Sequence, residues 1–184
     1  MLGFTAAGAD EDQGDGQSCF NATRVAQAER VLEMVADLIA ATGDSDVLVI
    51  GDMNSYLDED PILEFETGLH NLVRAYDKDP YSYNFFATFA APWIGRGLLD
   101  HAFATPSMAD QVKRASVWHI NADELRNLDY NTEYNPDYLY SQDPYRSSDH
   151  DPVMVGLRVE EWSKVWPPVV LLLSEIAAIQ ADLS

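Results

Sequence analysis

Three short apolar runs and one long amphipathic stretch set the frame of this chain. Val47-Leu48-Val49-Ile50 puts four apolar residues in a row, three of them β-branched, and reads as a strand covered on both faces. Leu98-Leu99-Asp100-His101-Ala102-Phe103-Ala104 and the run from Val153 to Leu157 read the same way, the first with one acid inside it. Between Asn21 and Thr42 the period changes. Val25, Ala28, Val31, Leu32, Val35, Leu38 and Ile39 recur at three- and four-residue steps, the spacing of a helix with one buried face, with Asn21 or Thr23 to cap it and Gly43 to end it. A helix followed directly by a buried strand is half of an α/β unit, in which the helix covers one face of the sheet.

The remaining pattern is weaker. Pro61 can open a short helix through Phe65, closed by Gly68, and Tyr81 to Phe89 alternates aromatic with small or polar residues as a strand does. Another connection and strand are expected from Ala109 to Trp118, and Leu125 to Ser148 reads as a long irregular loop rich in Tyr, Asn and Pro. Near the end, Val169, Leu172, Leu173, Ile176 and Ile179 fall at helical steps and predict an amphipathic C-terminal helix; the unbroken run Val169 to Leu173 is far shorter than the ~20 residues of a membrane span. The early stretch holding Asp10, Asp12 and Asp15 lacks the terminal Glu of a calcium-binding EF-hand loop and reads as a solvated surface loop.

Composition narrows the picture. A chain of 184 residues with 47% hydrophobic content is long enough for one globular domain. Thirty-one acidic against eleven basic residues give a formal charge of −20, which opposes generic attraction to a polyanion. A phosphate-bearing substrate would have to be neutralised locally, by a divalent cation and a few placed Arg or Lys. A salty or calcium-rich medium is the other setting that fits such acidity. Residues 1–9 carry neither a basic nor a long apolar segment, so no signal peptide is read in this chain.

The candidate chemistry sits at the ends of the three runs. Gly51 is expected to turn the backbone after the first, which delivers Asp52 and Asn54 to the rim of a sheet, where they can bind metal or activate water; an Asp and Asn that only bond the local backbone are the plainer alternative. Arg146-Ser147-Ser148-Asp149-His150-Asp151-Pro152 places an acid and an imidazole at the mouth of the third run. Asp100, alone among apolar residues, needs a partner to offset burial of its charge, and His150 is the natural one.

These runs, in this order, resemble the endonuclease/exonuclease/phosphatase superfamily. The longer strings Gly51 to Ile62, Trp118-His119-Ile120-Asn121-Ala122-Asp123-Glu124, Asp129-Tyr130-Asn131 and Tyr145 to Val153 are similar to secreted bacterial nucleases of that group. The resemblance implies an α/β fold, the four-layer α/β/β/α sandwich of the deoxyribonuclease type, with residues 1–158 as the C-terminal portion of the domain and 159–184 as a tail or helix. It implies a metal-dependent phosphodiester hydrolase, an extracellular endonuclease acting on DNA or RNA, with a phosphatase or phospholipid phosphodiesterase, or an inactive fragment, as the alternatives. By the same resemblance Asp52, Asn54, Asp100 and His150 are catalytic, Asp149 is a metal ligand, Arg146 binds substrate, and the cofactor is Mg2+, with Ca2+ or Mn2+ as alternatives. The family's early half contributes a Glu, an Asn and a second His or Tyr that have no match here, so an N-terminal half is expected to be missing and the full-length protein to be extracellular or periplasmic. Cys19 is expected to pair with an upstream Cys. Arg24 is expected to be structural, and the string around His119 to fix a loop.

Overall fold

In the computed structural model the described residues are 6–85, 95–125, 128, 136–158 and 169–172, and every structural statement below refers to these. Helix α1 (Asn21–Thr42) is followed by strand β1 (Val47–Asp52), as the change of period requires. Helix α2 (Asp60–Glu66), with Pro61 in its first turn, is followed by β2 (His70–Asn71) and α3 (Leu72–Tyr76). A small hairpin, β3 (Tyr83–Asn84) and β4 (Arg96–Gly97), precedes β5 (Asp100–Ala104). Helix α4 (Pro106–Ala109), β6 (Val112–Val117), β7 (Val153–Leu157) and β8 (Val169–Leu172) complete the order.

The central sheet runs β2-β5-β1-β8, while β6 pairs with β7 and β3 with β4. β1 is antiparallel to β5, with Leu48 opposite Ala104 and Asp52 opposite Asp100, and β8 lies parallel on its other edge. Because side chains alternate across a strand, this register sorts the core into two layers. Val47, Val49 and Phe103 point toward Ala28, Val31 and Val35 of α1 and toward Ile62 and Phe65 of α2. Leu48, Ala102 and Ala104 point the other way, into a second cluster with Leu72, Met108, Val112, Ala115 and Val117. Asp52, four residues on from Leu48, and Asp100, two before Ala102, leave the sheet on that second face.

Two local expectations are corrected. The four residues from Val169 form a strand rather than a helix, because the open edge of β1 supplies backbone partners from Val47 to Ile50 that outweigh the helical spacing; Ile176 and Ile179 lie outside the described residues. Strand β1 runs straight through Gly51 to Asp52, and the turn is made instead by Asn54, which takes the left-handed conformation at φ 48°. Asn tolerates that region better than most residues, since its short amide can bond locally. No helix among the described residues is long and apolar enough to cross a membrane.

Phe103 is fully enclosed and its ring stacks on Phe65 at 4.8 Å between centroids. Phe103→Ala should therefore cost about 3–5 kcal/mol of stability, and Phe103→Leu much less, as measured by denaturant unfolding. An alanine variant within ~1 kcal/mol of wild type would show that this layer does not carry the fold.

Candidate active site

Pairing of β1 with β5 sets the site. Asp52 and Asp100 are directly opposed residues of neighbouring strands, and opposed side chains on one face lie about 4.5–5.5 Å apart at Cβ. His150, two residues before Pro152 and β7, reaches the same place: its Nδ1 lies 2.7 Å from Asp100 Oδ2. A carboxylate only accepts, so Nδ1 carries the proton and donates. One ligating atom from each of Asp52, Asp100 and His150 falls within 4.8 Å of the others. Asn54 closes the group, its backbone N–H donating to Asp52 Oδ1 at 2.8 Å and its side-chain amide to Oδ2 at 3.2 Å.

The electrostatics follow from this crowding. Partial enclosure, the largest cause, raises the Asp52 pKa; the Asn54 N–H opposes the rise and the nearby Asp100 and Asp149 charges add to it. The His150 pKa is also raised, first by its bond to Asp100, against the effect of burial. The site thus holds a carboxylate made more basic beside an imidazole held more readily as its cation.

Neighbouring elements hold these groups in place. Ser82 Oγ, fully buried, accepts the backbone N–H of both Leu99 and Asp100 at 3.0 Å, while its carbonyl accepts from Asp151 N at 2.7 Å. Asp151, 1% exposed, accepts from the N–H groups of Ile120, Asn121 and Ala122 and pairs with His119 Nδ1 at 3.0 Å. Asn121 then donates to the His150 carbonyl at 2.8 Å. On the first turn of α1, Arg24 donates to the Asn54 carbonyl at 3.0 Å, to Ser55 Oγ at 2.7 Å and to the Glu59 carboxylate. From the far face of β5, His101 Nε2 meets the Ser55 carbonyl at 2.9 Å; burial pushes its pKa down to about 4, which keeps the ring neutral and donating.

The structure brings together Asp52, Asn54, Asp100 and His150. Asp149 stands outside the group of three converging donors; it is half-buried and acts on Asp52 and His150 through its charge. Arg146, expected to meet substrate, is 7% exposed and donates to the Asn121 carbonyl at 3.2 Å, a bond that anchors the loop before His150. His119 is committed to Asp151 and stacked on Tyr81 at 3.8 Å, which is the loop-fixing geometry expected of its string. Cys19 is an exposed free thiol. The sequence assigned no role to Ser82 or Asp151, for which a polar residue inside an alternating aromatic run and an acid directly before Pro152 were the available signals, while Asn121 lies in the string expected to fix a loop.

The donor set fits a divalent cation. Two carboxylates opposed across a strand pair, with a third acid nearby, offer hard oxygen ligands of the kind Mg2+, Ca2+ and Mn2+ accept, and their mutual repulsion is what a cation relieves. A carboxylate, an amide and a carboxylate-oriented imidazole on the rim of a β-sheet are groups that metal-assisted hydrolysis can employ. The description "Endonuclease/Exonuclease/phosphatase family" matches residues 9–150, and the chain belongs to that family, whose members are generally divalent-metal-dependent hydrolases of phosphodiesters or phosphate esters. No curated protein and no solved structure matches it significantly.

The Arg24–Glu59 pair is enclosed, with side-chain exposures of 12% and 8%. Arg24→Met should cost about 3–5 kcal/mol, because it leaves the Glu59 charge buried without its partner. Adding Glu59→Leu should recover much of that loss in thermal unfolding. If the double variant is as unstable as the sum of the two singles, the pair is not the support proposed for the Asn54 turn.

Proposed function

We propose that this chain is a metal-dependent phosphodiesterase, and within that class an endonuclease that cleaves DNA, with RNA as the alternative substrate, outside the cytoplasm of a bacterium. The observation that carries the reading is the 2.7 Å contact between His150 and Asp100, set beside Asp52 and Asn54. The fuller architecture we propose is the four-layer α/β/β/α sandwich, with an N-terminal portion of the same domain supplying the further Glu, Asn and His or Tyr.

In this reading Asp52, held in place by two hydrogen bonds from Asn54, takes the proton of the attacking water. Asn54 spends one amide hydrogen on Asp52 and has a second to give to the nucleophile or to a phosphoryl oxygen. His150 faces the scissile phosphate as an imidazolium, neutralising charge and protonating the leaving oxygen. Asp100 holds the ring with Nδ1 as donor, so Nε2 is the nitrogen left for substrate. Asp52, Asp100 and Asp149 are the acids that would hold a divalent cation, which supplies charge neutralisation at phosphorus. Asn121, through the His150 carbonyl, and Ser82, through the Asp100 amide, keep the two halves of the pair in register.

The test is a panel of plasmid DNA, bis(p-nitrophenyl) phosphate and sphingomyelin, each with Mg2+, Ca2+ or chelator. We expect cleavage of DNA, slow for the chain alone, that chelator abolishes, and no release of phosphocholine. Hydrolysis of sphingomyelin in preference to DNA would overturn the endonuclease reading, and activity unchanged by chelator would overturn the metal dependence.

A further inference from the structure

Beside the carboxylates lie two tyrosines with no place in the reaction described above. Tyr83 of β3 stands directly opposite Gly97 of β4, and residues so opposed leave an antiparallel pair on the same face. Gly97 has no side chain, and the Tyr56 ring occupies that space. A Cβ on Gly97 would lie 2.1 Å from Tyr56 Cε1 and 2.5 Å from Cδ1, so nothing larger than glycine fits under the ring. Tyr56 comes from the loop just after Asn54 and is thus laid on the hairpin next to Tyr83. Tyr83 in turn backs onto His150: their rings are 4.9 Å apart at 47°, and their backbones form a bridge. The Tyr56 ring over Gly97 and the Tyr83 ring beside His150 thus share one face of the hairpin, between the Asn54 turn and His150.

This face is not core. Tyr56 keeps 41% exposure although its ring is packed on backbone, and Tyr83 is half-buried, whereas Tyr81, two residues before Tyr83, is buried. The charge around the site does not favour a long polyanion. The chain carries a formal −20, and Arg24, Arg74 and Arg96 are each ion-paired to a carboxylate of the protein. With these three arginines of the described residues committed to carboxylates, a group that binds without charge is the contact the structure offers beside the reacting phosphate. An aromatic face does this by stacking on a nucleobase, and a base can offer its face only when it is not already stacked within a duplex.

We propose that Tyr56 and Tyr83 form a stacking ledge for an unpaired base flanking the scissile phosphodiester, so that single-stranded nucleic acid is the favoured substrate class. The proposal rests on the phosphodiesterase reading above and adds to it what the substrate must carry beyond a phosphate.

Binding separates the two ideas. Fluorescence anisotropy with Mg2+ would compare a labelled phosphorothioate oligothymidylate, the same strand built of abasic units, an oligouridylate, and a duplex, on wild type, Tyr56→Leu and Tyr56→Trp. Wild type should bind the base-bearing single strands at least about tenfold more tightly than the abasic strand. Tyr56→Leu, which still covers Gly97, should remove most of that ratio, and Tyr56→Trp should keep it. Because the ratio is internal to each variant, a partly misfolded preparation lowers both affinities and leaves the ratio readable. Equal affinity of wild type for base-bearing and abasic strands, tighter binding of duplex, or a ratio untouched by Tyr56→Leu would overturn the ledge. Failure of wild type to hydrolyse any phosphodiester would instead overturn the proposed function, and the anisotropy ratio would still report on the ledge.

Discussion

Two acids face each other across the β1–β5 pair, and the site depends on how their repulsion is met. Asp52 and Asp100 are in register on one face of the sheet. At the ~5 Å spacing of opposed residues, two full charges repel by about 1–3 kcal/mol, depending on whether screening is water-like or that of a protein surface. A sheet built only for stability would not put them there. The structure offsets the cost with directed donors: Asn54 gives two hydrogen bonds to Asp52, and His150 gives one to Asp100. What remains is a pocket of negative potential beside an imidazole whose protonated form Asp100 favours, and these are two conditions for gathering a cation and a phosphate at one point.

Holding that arrangement takes supports from three directions. Arg24 reaches from α1 to fix the left-handed turn at Asn54, and His101 pins the next residue from the opposite face of β5. Ser82 joins the hairpin to the start of β5 and to Asp151. Asp151, fully enclosed, gathers three backbone amides of the 120–122 turn, and Asn121 from that turn holds the His150 carbonyl. Each support is a buried polar group with its partners in place, so each also transmits error. Loss of one leaves its partner unsatisfied at a cost of about 1–3 kcal/mol and loosens the geometry at the sheet end.

Much of this was legible in the sequence, and the parts that were not share a cause. The amphipathic period of α1 and the apolar runs of β1, β5 and β7 announced themselves, since burial on one or two faces leaves a period that a single chain displays. The pairing of Asp100 with His150 was legible because an acid inside an apolar run must find a counter-charge. What stayed hidden depends on partners remote in sequence. The strand at Val169–Leu172 carries helical spacing and becomes a strand only because β1 has an edge to give. Arg146, expected from the resemblance to bind substrate, is folded by its loop onto the Asn121 carbonyl, a contact that no local pattern announces. The Tyr56 ring over Gly97 could not be foreseen, because a glycine chosen for what lies on top of it looks like any other glycine.

The central claim is that Asp100 acts by orienting His150, and a double-mutant cycle on the hydrolysis rate tests it most directly. Wild type, Asp100→Asn, His150→Ala and the double variant would be compared under one metal concentration, with thermal midpoints measured on the same samples. The account predicts a larger loss for His150→Ala than for Asp100→Asn and a double variant scarcely worse than His150→Ala, a coupling of about 1–3 kcal/mol. Losses that simply add, or an Asp100→Asn variant that loses thermal stability while its turnover per folded molecule is unchanged, would contradict it.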